Sequence, residues 1–216
     1  MERFIVIAEL RSPLVLGGDG YFTLDGLLAG LLFERLQDVE AAHGAVPLAS
    51  TGGLFHASAA IIEPYETRPV SFVANLRAQH DLDPGLLLKN RHGRVHRRIG
   101  MTRRQDFGAV MNSYRAFGTD EICWYAEGDA AAVNALVENT PFIGKRRASG
   151  FGEVSRWTVE PGELDGVTGP FGEPMRPVPV DLFRGDTEGP KAEAAWRPAY
   201  WHPANRAVCY VPGLPR

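Results

Sequence analysis

Residues 3–10 read Arg-Phe-Ile-Val-Ile-Ala-Glu-Leu, apolar on both faces and rich in β-branched side chains. That pattern predicts a central strand. Ser12-Pro13 interrupts it, and Gly17-Gly18-Asp19-Gly20 predicts a turn. The period then changes. Leu24, Leu27, Leu28, Leu31, Leu32, Leu36 and Val39 recur at helical spacing, with Thr23 or Asp25 placed to cap the start and Gly44 to end it. Asp25, Glu34, Arg35, Gln37 and Asp38 fall on the opposite, polar side. Strand-like runs follow at 54–62, closed by Pro64, and at 70–76. Residues 81–118 carry no core periodicity and predict an extended hairpin or loop. Order returns at 121–126, a strand. Asp129 can cap a short helix through Glu138 with Ala132, Val133, Leu136 and Val137 facing inward, and residues 151–159 predict a closing strand.

With the middle insertion set aside, the order is strand, helix, strand, strand, helix, strand. That is an α+β chain with a ferredoxin-like βαββαβ core, the plan also used by RNA-recognition motifs. At 216 residues the chain suits one sizeable domain with an appendage. The expected organisation is a ferredoxin-like domain over 1–160, interrupted by the insertion at 81–118, and a C-terminal extension over 161–216. The extension is rich in proline and glycine, so it is expected to cross the core as irregular chain. Trp196, Tyr200 and Trp201, with Trp157, are the expected anchors. Trp124 and Tyr125 read as sheet packing.

Composition sharpens this picture at two points. No run approaches the roughly 18 apolar residues of a membrane span, and Met1-Glu2-Arg3 leads straight into a strand, so a cytoplasmic protein is expected, with no membrane partner. Cys123 and Cys209 have no metal-ligand spacing and read as incidental thiols. The net charge of −3 argues against a basic coat over the whole surface, but its distribution is uneven. Lys89, Arg91, Arg94, Arg97, Arg98, Arg103 and Arg104 fall together with His92 and His96, and no acid lies between Pro84 and Gln105.

The second basic element is Gly144-Lys145-Arg146-Arg147-Ala148-Ser149-Gly150-Phe151-Gly152. Glycines let backbone amides approach a ligand, and successive amides can form an anion-binding nest. The three cations add charge where a phosphate would sit. The order is neither that of a nucleoside-triphosphate loop nor that of a dinucleotide fingerprint. Phosphates, not bases, would dominate such an interface, with Tyr114, Phe107, Phe117 and Phe151 available for stacking and Arg115 beside them. Each of these three phenylalanines reads first as a core or loop anchor, and the alternative reading of either basic stretch is a solvated loop or turn. His56, His92 and His96 are the acid–base candidates for a nuclease, but none has an identifiable partner. His56 lies on an apolar strand, the usual setting of a core histidine. No metal or other cofactor is expected.

A glycine-rich basic loop after the second helix of a ferredoxin-like domain, here Ile-Gly-Lys-Arg-Arg-Ala-Ser-Gly-Phe-Gly-Glu-Val, resembles the hallmark of the RAMP superfamily of CRISPR proteins. Leu24-Asp25-Gly26-Leu27-Leu28-Ala29, Trp124-Tyr125-Ala126-Glu127-Gly128-Asp129, Met175-Arg176-Pro177-Val178-Pro179 and Arg197-Pro198-Ala199-Tyr200-Trp201 extend the match. Together they resemble the handle-capping subunit of type IV CRISPR effector complexes, the counterpart of the fifth Cas family. The resemblance implies a non-catalytic subunit of a ribonucleoprotein for antiviral defence. Its partners would be the 5′ handle of a guide RNA, the backbone RAMP subunits, the other type IV subunits and, through the complex, target DNA. The insertion would correspond to the thumb of such proteins, which hooks RNA and the neighbouring subunit. Gly144, Lys145, Arg146, Arg147, Ser149, Gly150 and Gly152 of the loop, the insertion's cations, Tyr114 and Arg115 are the expected RNA-binding residues. The alternatives are a metal-independent guide-RNA-processing endoribonuclease and an RNA-binding ferredoxin-like domain unrelated to CRISPR.

Overall fold

The structure, a computed structural model, describes residues 1–74, 89, 92–94 and 110–213. The chain divides into two compact units, Pro69–Tyr114 and the remainder.

The larger unit is built on β1 (Glu2–Leu10). Its inward side chains Phe4, Val6 and Ala8 are buried. Next come β2 (Leu14–Val15), α1 (Leu24–Leu36), α2 (Val39–Gly44), the short hairpin of β3 (Ser50–Thr51) and β4 (Leu54–Phe55), and β5 (Ile61–Ile62). β6 (Glu66–Ala74) and β7 (Val110–Gly118) lead into β8 (Glu121–Gly128), α3 (Ala130–Val137) and β9 (Val154–Pro161). The central antiparallel sheet has the order β5-β8-β1-β9. Counted among the four core strands, that order is second, third, first, fourth, the ferredoxin-like arrangement. Leu24, Leu28 and Leu32 of α1 and Val133, Leu136 and Val137 of α3 share its core with Trp124. Trp124 stacks on Trp157, with 6.1 Å between ring centroids. Asp129 caps α3 as expected, its carboxylate accepting from the Ala132 amide at 3.0 Å.

Several expectations are corrected. The first helix stops at Leu36 because Gln37 turns left-handed, and Asp38 then caps a separate helix by accepting from the Ala41 amide. Thr23 occupies the cap position of α1 without a capping side-chain bond, and Asp25, expected on the polar side, is fully buried. The run at 54–62 is not one strand. It breaks at Ser58, whose hydroxyl accepts from the Tyr125 amide and diverts the chain between β4 and β5. Residues 110–118, expected to lack core character, form β7. Leu14 and Val15 pair with Phe117 and Ala116, and all four are buried. Phe117 is therefore a core residue, unavailable for stacking.

The C-terminal extension is largely irregular chain, as expected, but it also carries a small sheet that was not. β10 (Val178–Pro179), β11 (Lys191–Ala195) and β12 (Arg206–Tyr210) form a sheet in the order β10-β12-β11. It buries Val178, Phe183 and Tyr210 with Leu54 on one side and Ala194, Cys209 and Val211 on the other. Trp196 packs there as expected, but Trp201 is exposed and anchors nothing. Cys123 and Cys209 are free thiols, and burial pushes both up to about 11.

In the smaller unit β6 and β7 run side by side, with the hydroxyls of Ser71 and Ser113 2.9 Å apart. Among the described residues no helix is long and apolar enough to cross a membrane.

Candidate nucleic-acid interface

The glycine loop leaves α3 through Thr140 and Pro141 and returns into β9. Its mouth is closed by the Phe142–Glu153 bridge, with the Ile143 amide donating to the Gly152 carbonyl at 2.9 Å. Two glycines are required here. Gly144 has φ +75°, and a Cβ would meet Leu14 Cδ1 and the Val15 carbonyl at 2.7 Å each. Gly152 has φ +69°, and the Ile143 carbonyl oxygen occupies the space a Cβ would need. The stem is stitched to the segment before α1. Lys145 N donates to the Val15 carbonyl at 2.7 Å, Gly152 N to that of Pro13 at 3.0 Å, and Glu153 N to Ser12 Oγ at 2.8 Å.

Above this stem, Arg147–Ser149 form one 3-10 turn between a left-handed Arg146 and a left-handed Gly150. The amides of Ser149 and Gly150 donate to the carbonyls of Arg146 and Arg147 at 2.8 and 2.9 Å, and that of Phe151 to Arg146 at 3.4 Å. The amides of Ser149, Gly150 and Phe151 are thus spent on the turn itself and withdrawn from the expected anion nest. What the loop offers outward is cationic side chains. Arg147 is exposed and reaches Glu34 of α1 only at 3.9 Å, a separation at which a solvated pair contributes little. Lys145 lays its stem across Gly17, where any side chain would collide with it. Alongside runs a groove against α1, one part of about 290 Å³ and the next of about 440 Å³. The two parts share Leu31, Glu34, Phe142 and Arg147.

The other expected RNA-binding residues lie apart from this loop in the sequence. Lys89, His92 and Arg94 are exposed, as is Arg115, whereas Tyr114 is half-buried, its ring 6.2 Å from that of Phe72. Arg91, Arg97, Arg98, Arg103, Arg104, His96 and Phe107 lie outside the described residues. His56 bonds Thr51 Oγ1 through Nε2 at 2.9 Å, while its Nδ1 lies 3.8 Å from the Glu127 carboxylate. Among the described residues no three of His, Cys, Asp and Glu gather as metal ligands do.

Sequence reasoning assigned no role to the most heavily bonded polar group. Arg176 is fully buried. Its Nη1 donates to the carbonyls of Phe55 and Ala57 at 2.9 and 3.0 Å. Its Nη2 meets Asp25 Oδ2 at 3.0 Å, the Trp196 carbonyl at 2.7 Å and the Tyr200 hydroxyl at 2.6 Å. That hydroxyl in turn donates to the Asp25 carboxylate, 2.9 and 2.8 Å from its two oxygens. Burial alone would weaken the charge on Arg176, but attraction to Asp25 and Tyr200 outweighs it and its proton is held more tightly than usual. Burial likewise raises the Tyr200 phenol well above its ordinary range. The Tyr200 ring lies on Gly26, 2.9 Å from where a Cβ would stand. Three separate sequence motifs therefore meet in one ionic knot that fastens the C-terminal extension to α1. The available signal was an arginine set between apolar residues and prolines in Met175-Arg176-Pro177.

A chain of a solved structure described as "Cryo-EM structure of the Type III-B Cmr-beta bound to cognate target RNA" is similar to 76% of this chain at 10% identity, with a TM-score of 0.37; the similarity covers 62% of that solved chain. No family model and no curated protein matches the sequence.

Proposed function

We propose that this protein is a non-catalytic RNA-binding subunit of a CRISPR ribonucleoprotein of the RAMP type, and within that class the handle-capping subunit of a type IV effector complex. Lys145, Arg146 and Arg147 bind phosphates of the 5′ handle of the guide RNA. The cations of the insertion bind further phosphates and dock the backbone RAMP subunit. The observation that carries this reading is the loop itself: three consecutive cations on a turn whose stem is fixed by hydrogen bonds from four backbone amides and by two obligatory glycines. A fixed backbone beneath the cations leaves only their side chains to be ordered when a phosphate arrives. Its ferredoxin-like setting and the motifs around it give the RAMP reading its specificity.

The test is a salt titration of repeat-RNA affinity for the wild type and for Arg146→Ala/Arg147→Ala. Each cation that no longer neutralises a phosphate of a single strand lowers the log–log salt slope by about 0.7, so the double variant should show a slope smaller by about 1.4. An unchanged slope would make these cations solvated surface and sink the loop reading. The RNA should remain intact with and without magnesium. Site-specific cutting abolished by His92→Ala or His96→Ala would instead identify a processing endoribonuclease.

A further inference from the structure

The motif Arg197-Pro198-Ala199-Tyr200-Trp201 performs two opposite tasks. Tyr200 turns its hydroxyl inward to Asp25 and Arg176, while Trp201 beside it is 77% exposed. The loop that carries Trp201 is tied at many points. Asn205 donates through Nδ2 to the carbonyls of Pro198 and Ala199 at 3.0 and 3.1 Å and accepts from Arg197 Nε at 2.8 Å. The His202 amide donates to the Ala199 carbonyl at 2.9 Å, and the Trp196 amide to that of Asn205 at 3.1 Å. An indole carried on a backbone fixed in this way has only its own side-chain freedom to lose when a flat partner covers it. Trp124, Trp157 and Trp196, by contrast, are packed into cores.

Trp201 borders a cleft of about 730 Å³, inside the roughly 300–1,000 Å³ range of small-ligand sites. Arg197 and His202 share its wall, and Glu40 and His43 of α2 form another. The Arg197 guanidinium lies over the Trp196 ring, 4.8 Å from its centroid. Its Nε bond to Asn205 is its one hydrogen bond among the described residues, and no carboxylate there pairs with it. A flat exposed ring beside an uncompensated guanidinium suits a nucleotide: the ring takes the base and the guanidinium the phosphate. A protein partner would centre on apolar surface. This lining mixes Val39, Phe55, Pro198 and Trp201 with Glu40, His43, Arg197 and His202, so a guanidinium with no carboxylate partner among the described residues is what favours RNA.

We propose that this cleft is a second site for single-stranded RNA, in which one base stacks on Trp201 and its phosphate pairs with Arg197. The Glu40 carboxylate repels phosphate and so leaves the Arg197 side to the RNA backbone. The choice of RNA as occupant rests on the function proposed above, but the site shares no residue with the glycine loop.

The experiment titrates the purified full chain with a short oligoadenylate, following both affinity and tryptophan fluorescence. In the wild type, stacking should quench the emission of the one exposed indole. Trp201→Leu should abolish that quench and weaken binding by roughly five- to 150-fold, the range that about 1–3 kcal/mol per base–aromatic stack converts to. Trp201→Phe should retain most of the affinity, and Arg197→Ala should lower the salt slope by about 0.7. If Trp201→Leu binds and is quenched like the wild type while Arg146→Ala/Arg147→Ala is weakened, the cleft proposal fails and the loop reading stands. The reverse pattern keeps the cleft and removes the loop. A wild type that binds no RNA sinks both. Normal RNA binding by Trp201→Leu and Arg197→Ala, with loss of co-purification with a backbone RAMP subunit, would make the cleft a protein-docking surface and overturn the proposal.

Discussion

Arg176 and Arg147 show the same side chain put to opposed uses. Arg176 is sealed from water and surrounded by oxygen acceptors, with Asp25 as its counter-ion. Arg147 stands at the head of an exposed turn and touches one carboxylate at the limit of pairing distance. A guanidinium whose donors are engaged by its own chain holds architecture and has little left for a ligand. One whose donors face water contributes little to the fold and leaves its hydrogen bonds available to an anion. Proximity in a motif does not distinguish the two. The acceptors gathered around each do.

The sharpest way to break this contrast is to remove the counter-ion. Asp25→Ala leaves a buried guanidinium without its anion, which costs about 3–5 kcal/mol, a large share of the ~5–15 kcal/mol that keeps a domain folded. Urea unfolding should show a collapsed midpoint or no folded protein. Tyr200→Phe removes one member of the knot and should cost about 1–3 kcal/mol. It should also change the alkaline limb. Because the folded state raises the Tyr200 phenol, its contribution is complete below the ordinary phenol value of about 10 and is lost as the pH climbs beyond it. The Phe variant should lack that decline. Wild-type midpoints for Asp25→Ala would mean that the knot holds nothing together.

The same contrast explains what could be read from the sequence. Three of the four core strands and two helices were legible because apolar runs and, at α3, a capping aspartate dictate them locally, whereas the second core strand shrinks to Ile61–Ile62 once Ser58 bonds the Tyr125 amide. The need for glycine at Gly144 and Gly152 was legible as composition. Asp25 was misplaced because a helical wheel separates polar from apolar positions without knowing that Arg176, 151 residues later, returns to neutralise it. The tail sheet was missed for a related reason. Its strands are five residues or shorter, and Lys-Ala-Glu-Ala-Ala carries almost no hydrophobic alternation. What fixes it is packing of Val178, Phe183 and Tyr210 against Leu54, a long-range fact. The left-handed Arg146 was illegible because sequence gives no sign of positive φ at an arginine.

A second contrast lies inside the glycine loop, between its stem and its tip. Both Gly150 and Gly152 have positive φ, but a Cβ at Gly150 meets open space whereas at Gly152 it runs into the Ile143 carbonyl. Gly150→Ala should therefore cost only the left-handed penalty, about 1–2 kcal/mol. Gly152→Ala should cost more, about 2–3 kcal/mol, because backbone must also shift. Thermal unfolding of the pair separates them. Equal destabilisation would show that the stem is not the rigid part of the loop.

The smallest effect is the most specific to function. Arg146 holds φ +62°, which an L side chain adopts only at a cost of about 1–2 kcal/mol, part of which glycine would return as greater freedom in the unfolded chain. Comparing Arg146→Gly with Arg146→Ala isolates that cost, since both lack the guanidinium. The Gly variant should be the more stable by up to about 1 kcal/mol in urea, and both should show an RNA salt slope smaller by about 0.7. The two readouts then part: one variant relieves backbone strain, and neither recovers RNA affinity. An Ala variant more stable than the Gly variant would remove the left-handed turn at Arg146.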